Sequence, residues 1–211
     1  VPDSAITFAE PERWPDLDWE RLRDEHGLEV DVMLSHFPPS DFPTFSAWRA
    51  ATQRFQATLL REHIETLRRL KYRPTGGFCF SWLADPAPMI SASVLDHERT
   101  PKPAWDAVVE ACRAVIVVMD PIGPSLVSGS ALDLAVHVVN DLRQPITDGT
   151  VSVTCTWRGG RRQWAFRGDV AADACELVGR LRFTVPDEPG DLLFGLALHG
   201  RDPDGREVRA T

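Results

Sequence analysis

The chain has 211 residues, 43% of them hydrophobic, which is enough apolar material for one large core or two small ones. Its 31 Asp and Glu against 23 Lys and Arg leave a formal net charge of −8, which repels a phosphate backbone and excludes nucleic acid as an expected partner. The longest wholly apolar stretch, Ala114 to Met119, is far too short to span a bilayer, so no membrane partner is expected and the chain reads as soluble, either cytoplasmic or secreted.

In chain order, residues 1–44 are rich in Pro, Asp and aromatics. The opening Val1-Pro2-Asp3-Ser4 suggests a polypeptide that extends upstream. One short helix is expected from about Asp18 to His26, closed by Gly27, with ordered loop around it. From Phe45 to Tyr72 the pattern is that of a long amphipathic helix, with Trp48, Phe55, Leu59, Leu67 and Leu70 on one stripe and Arg61, Arg68 and Arg69 facing water or a carboxylate. Pro74 stops it, Gly76 and Gly77 follow, and Phe78 to Trp82 reads as a short strand of the kind buried in a parallel sheet. A second helix is expected after Pro101, with Trp105, Val108, Val109 and Cys112 on one face. This βα unit cannot stand alone, because a lone parallel strand leaves both backbone edges unpaired.

From Val115 onward the pattern becomes all-β. Leu132, Leu134, Val136 and Val138 alternate with Asp133, Ala135, His137 and Val139; Val151, Val153, Cys155 and Trp157 alternate with Ser152, Thr154 and Thr156; Leu192, Phe194, Leu196 and Leu198 repeat the pattern. Further strands are expected near 115–119, 162–167, 176–185 and 205–210, and seven strands in the last ~95 residues match an immunoglobulin-type β-sandwich. Its junction with the preceding part is placed near Asp120-Pro121.

The four cysteines, Cys79, Cys112, Cys155 and Cys175, form no C-x-x-C pair, so buried free thiols are expected, with a Cys155–Cys175 bridge as the alternative. No nucleotide-binding glycine loop, H-E-x-x-H or G-x-S-x-G occurs, and neither a cofactor nor a metal is expected. Asp96-His97-Glu98 sets a histidine between acids, but no Ser or Cys is poised beside it, and a structural histidine is the simpler reading. Glu10, after Ile6, Thr7, Phe8 and Ala9, sits where a barrel strand would end, yet the following Pro-Glu-Arg reads as a solvated turn. Trp82 and Asp85, just past the expected strand, are better placed: there an aromatic can stack on a sugar ring and a carboxylate can bind hydroxyls.

The segments Thr52-Gln53-Arg54-Phe55-Gln56 and Ile64 through Gly77, followed by Asp85, Ile90-Ser91, Val94-Leu95-Asp96, Pro101-Lys102-Pro103-Ala104 and Asn140-Asp141, resemble β-mannosidase-like members of glycoside hydrolase family 2. The resemblance covers nearly the whole chain and is strongest from 48 to 118. It implies an α+β two-part chain: residues 1–118 as the incomplete C-terminal part of a (β/α)8 TIM barrel, and 119–211 as an immunoglobulin-like β-sandwich. It also implies retaining hydrolysis of β-linked sugars by two glutamates with carboxyl groups ~5 Å apart. In the family's layout both lie before Val1, so no catalytic residue is assigned in this chain, and Trp82 and Asp85 are the substrate-binding residues carried over. The sequence departs from the family at Ser81 and Ala87, where tryptophans are usual. The expected partner is a carbohydrate substrate in the full-length protein. Self-association is also expected, through an apolar edge near Phe78, Phe80, Trp48 and Phe55. The alternative is a non-catalytic sandwich module that binds saccharide or protein, with Trp157 and Trp164 as stacking residues.

Overall fold

The computed structural model describes residues 8–211; the opening Val1-Pro2-Asp3-Ser4, and Ile6 and Thr7 ahead of Glu10, lie outside the described residues. The fold is α+β with antiparallel sheets. Its elements are helices α1 (Trp19–His26), α2 (Val30–His36), α3 (Phe45–Arg69) and α4 (Pro103–Ala111), then strands β1 (Val115–Met119), β2 (Ala131–Asn140), β3 (Ile146–Trp157), β4 (Gly160–Val170), β5 (Ala174–Thr184), β6 (Leu193–Arg201) and β7 (Glu207–Ala210). Two compact units divide the chain, one of residues up to 63 plus 78–111, the other of 64–77 plus 112–211.

In the first unit, α1 starts where expected because the Asp18 carboxylate accepts the backbone N–H of Arg21 at 3.0 Å, and Gly27 ends it in the left-handed region at φ 70°. The core is aromatic: Phe45 and Trp48 of α3 pack with Leu17, Leu22 and Leu28, and Trp14 and Trp19 lie edge-on or tilted against Trp48 at 5.7 and 5.8 Å. Three expectations change here. The stretch after Gly27 is not all loop, since it contains α2. Residues 78–82 form no strand; among the described residues no strand takes their backbone groups, and Phe78 and Trp82 are exposed. Helix α4 buries Ala104, Val108 and Ala111, with Val109 and Cys112 outside, a face rotated from the one expected.

The second unit is a two-sheet sandwich, one sheet ordered β1-β2-β5 and the other β4-β3-β6-β7. Val136 and Val138 of β2, Val151, Val153 and Cys155 of β3, Leu181 and Phe183 of β5 and Leu198 of β6 meet in one core. The alternation expected for β2, β3 and β6 is the pattern observed, with one extension: on the opposite face of β2 Ala135 and Val139 are also buried, Val139 against Ile116 and Val118, so β2 is covered on both faces. Strand β1 pairs with β2 from Val115↔Asn140 to Met119↔Val136 and is therefore a strand of the sandwich, ahead of Asp120-Pro121. Cys155 faces the sandwich core and Cys175 the opposite cluster, both free; Cys79 and Cys112 are exposed rather than buried.

Residues 64–77 are fixed to the sandwich by charge. Arg68, buried, reaches Asp141 at 2.6 Å; Lys71 lies 2.6 Å from both Asp141 and Asp173; Arg69 pairs with Asp120; and the Tyr72 hydroxyl donates to Asp173 at 3.0 Å. Arg68 and Arg69, expected to face water or a carboxylate, thus hold carboxylates. Asn140, fully buried, donates to the Gln144 and Ala171 carbonyls at 3.0 and 2.9 Å and accepts the Leu142 N–H at 3.0 Å. Asn140→Leu removes one side of three hydrogen bonds and leaves their partners short of one. It is expected to cost about 2–4 kcal/mol in urea unfolding; a loss below about 0.5 kcal/mol would mean those partners are satisfied by water.

Candidate functional site

The site expected at Trp82 and Asp85 is built on the loop that runs from Phe78 to α4. Asp85 is 1% exposed. Its backbone N–H donates to the Leu95 carbonyl at 3.1 Å, and Ala84 and Leu95 form a parallel bridge, so the loop doubles back and holds the carboxylate inside. The carboxylate accepts from the Ser91 hydroxyl and lies 2.9 Å from the Lys102 ammonium. Ser91 Oγ also accepts the Ser93 backbone N–H at 3.0 Å, and Gln56 of α3 donates to the Ala92 carbonyl at 2.6 Å. Burial pushes the Asp85 carboxyl up, but the Ser91, Lys102 and Ser93 donors outweigh it and hold the carboxyl below the ordinary range.

Trp82 is placed differently. It follows a cis peptide bond from Ser81, is 55% exposed, and lines a cavity of about 550 Å³. The apolar wall comes from Phe37, Phe55, Leu59 and Met89, and the polar groups from Gln53, Gln56, Asp96 and His97. Phe55 and Leu59, expected on the apolar stripe of α3, are exposed and form this wall, while Trp48 on the same helix is 2% exposed and donates its indole N–H to the Phe37 carbonyl at 2.9 Å. The size and lining suit a sugar-sized ligand, with an aromatic face to stack on and amides to take hydroxyls. Trp82 and Asp85 are therefore close in sequence but apart in role: Trp82 lines the cavity, and Asp85 lies behind it, its oxygens held by Ser91 and Lys102.

The other candidates separate as well. His97 lines the cavity beside Asp96, whose carboxylate accepts the backbone N–H groups of Glu98 and Thr100 at 2.9 and 2.8 Å and so shapes the turn. Glu10 lies in ion pairs with Arg13 at 2.8 Å and Arg21 at 3.1 Å; the Arg13 hydrogen bond leads in holding its carboxyl below the ordinary range. In the sandwich, Trp157 and Trp164 both pack on Phe183, at 5.6 and 5.9 Å, rather than standing out as stacking platforms. Of the apolar edge expected to self-associate, Phe55 and Phe78 are exposed, whereas Trp48 belongs to the core. Sequence reasoning passed over Gln53 and Gln56 as site residues, although their spacing of three on one helix was the available signal. No helix of the described residues is long and apolar enough to cross a membrane, and no group of three or more His, Cys, Asp or Glu among them is placed to hold a metal.

No family model and no curated protein matches the chain. Solved structures do. A β-D-mannosidase from Dictyoglomus thermophilum aligns with 77% of this chain and 19% of its own, at 18% identity and a TM-score of 0.54. An exo-chitosanase from Amycolatopsis orientalis aligns with 99% of this chain and 24% of its own, at 14% identity and a TM-score of 0.62. The same enzyme in complex with PNP-β-D-glucosamine aligns with 87% of this chain at 17% identity and a TM-score of 0.59. The chain thus spans about a fifth to a quarter of the proteins it matches, and its α+β arrangement is the fold found in that part of these glycoside hydrolases, which act on β-linked sugars.

Proposed function

We infer that this chain is the C-terminal portion of a family 2-type retaining glycoside hydrolase acting on β-linked sugars, β-mannosidase-like in character. In this reading the first unit is the last part of a TIM barrel and the sandwich is the immunoglobulin-like domain that follows it. The observation that carries the reading is the match to a β-mannosidase and an exo-chitosanase across most of this chain but only a fifth to a quarter of theirs. The cavity at Trp82 supports it, since an exposed indole beside amide side chains is suited to one face of a pyranose ring. The two glutamates of the retaining mechanism lie outside this chain, which supplies a wall of the sugar site while Asp85 and Lys102 hold the loop that carries it.

The test is hydrolysis of a panel of chromogenic β-mannosides and β-glucosaminides by this chain and by the full-length polypeptide. Turnover is expected only from the full-length protein, and Trp82→Ala there is expected to raise KM roughly tenfold with a smaller effect on kcat. Turnover by this chain alone would overturn the assignment of the catalytic glutamates. Absence of turnover by the full-length protein on every β-glycoside would overturn the glycosidase reading.

A further inference from the structure

The sandwich has a second surface unrelated to the cavity. Val151, Val153 and Cys155 of β3 point into the core, so Thr150, Ser152, Thr154 and Thr156 form a column of hydroxyls on the opposite face. Register sets their neighbours. On the β4 side Thr150 faces Arg167, Ser152 faces Ala165, Thr154 faces Gln163 and Thr156 faces Arg161. On the β6 side the same four residues face His199, Ala197, Gly195 and Leu193, and Arg209 of β7 continues the His199 row. The result is a column of hydroxyls flanked at its middle by Ala165, Gln163, Ala197 and Gly195, with an arginine opposite each end and the exposed Leu193 and His199 on the β6 side.

The charge of this face runs against that of the chain. Arg161, Arg167, Arg201 and Arg209 lie on it with Glu207, whereas the whole molecule carries −8. Glu207 is taken by Arg209 at 2.6 Å, while Arg161 and Arg167 have no acidic partner among the described residues. Asp148 and Asp169 lie in the bulge beyond Thr150, where Asp169 accepts the Asp148 backbone N–H at 3.0 Å. A second, independent feature is Gly195. It sits inside β6 without a positive φ, and a Cβ added there would meet nothing within 4 Å. Neither packing nor backbone conformation requires glycine at this position, and glycine weakens a strand, so its place on an open face marks a surface that another chain approaches closely.

We propose that the outer face of the β4-β3-β6-β7 sheet docks an anionic polysaccharide chain lying along β3. Thr150 and Thr156 are six residues apart, so the two unpaired arginines opposite them stand roughly 20 Å apart, a span that needs an oligomer. Guanidinium groups bind carboxylate or sulfate in a two-point fashion, and the hydroxyl column between them both donates to and accepts from sugar hydroxyls. A nucleic acid fits poorly, because the hydroxyl column and the residues paired with it carry no Phe, Tyr or Trp ring for base stacking. The proposal stands apart from the glycosidase reading, and neither depends on the other.

The experiment is isothermal titration of this chain with polygalacturonate and with dextran sulfate, alongside neutral galactan, monomeric galacturonate and single-stranded DNA. Binding is expected to at least one polyanion, to weaken with added NaCl, and to be absent for the neutral polymer and the monomer; which polyanion binds separates carboxylate from sulfate recognition. Arg161→Gln/Arg167→Gln should weaken binding by at least about tenfold. Gly195→Thr should weaken it similarly while leaving the thermal midpoint equal or higher, a combination that a folding defect cannot produce. The proposal is overturned if neither polyanion binds, if galactan or DNA binds as well as the polyanions, or if both variants bind as the parent does. It is also overturned if the face instead drives self-association that the arginine variants abolish.

Discussion

Trp48→Ala is expected to lower the unfolding free energy by about 3–5 kcal/mol, the range for emptying a large aromatic site in a packed core. The indole is 2% exposed and stands at the centre of the first unit's aromatic cluster, with ring centroids 5.7 Å from Trp14, 5.8 Å from Trp19 and 5.9 Å from Phe45. Removing it leaves a cavity bounded by rigid rings that cannot collapse into the space. It also strips the Phe37 carbonyl of its indole donor. Trp48→Phe keeps most of the ring contact and loses only the donor and part of the volume, so it should cost roughly half as much. Urea unfolding followed by far-UV circular dichroism separates the two variants. A Trp48→Ala protein within about 1 kcal/mol of the parent would mean the cluster is looser than its geometry indicates.

Trp48 also shows where the sequence was readable and where it was not. Period 3.6 located α3 within three residues of its observed end, but placed Trp48 and Phe55 on one apolar stripe with no distinction between them. Only the packing of α1 and α2 distinguishes them, and α2 left little trace: it has seven residues, Glu29 gives no side-chain cap, and prolines follow. The sandwich was far more legible, because a strand covered on one face imposes strict alternation, and β3 keeps it from Val151 to Thr156. The apolar run at 78–82 is the opposite case. Five apolar-rich residues suit a strand only if partners exist to take their backbone groups, and no local pattern reports a partner. At the site, Trp82 was identifiable as an aromatic after an apolar run. The role of Asp85 was not, because it is set by Ser91, Ser93 and Lys102, which the loop brings back from up to 17 positions away.

Asp85→Ala should therefore act on stability before it acts on any ligand. The carboxylate is 1% exposed and the Lys102 residue 8%, and deleting one member of a buried ion pair costs about 3–5 kcal/mol because the other is left unpaired. Lys102 also lines the cavity, so the freed ammonium can reach water and the expected loss is near the lower end of that range. Asp85→Ala/Lys102→Met removes both charges and should be more stable than Asp85→Ala alone. The pH dependence carries the same signature. The folded carboxyl titrates below its unfolded value of about 3.9, so the folded state holds fewer protons; the stabilisation is fully present above that value and is lost as pH falls through the depressed folded value. Urea midpoints measured from pH 7 down to pH 3 should fall more steeply at the acid end for the parent than for the double variant. If the two curves run parallel, the Asp85 carboxylate does not contribute through its charge, and its part in fixing the Trp82 loop would reduce to the hydrogen bonds it accepts from Ser91 and Ser93.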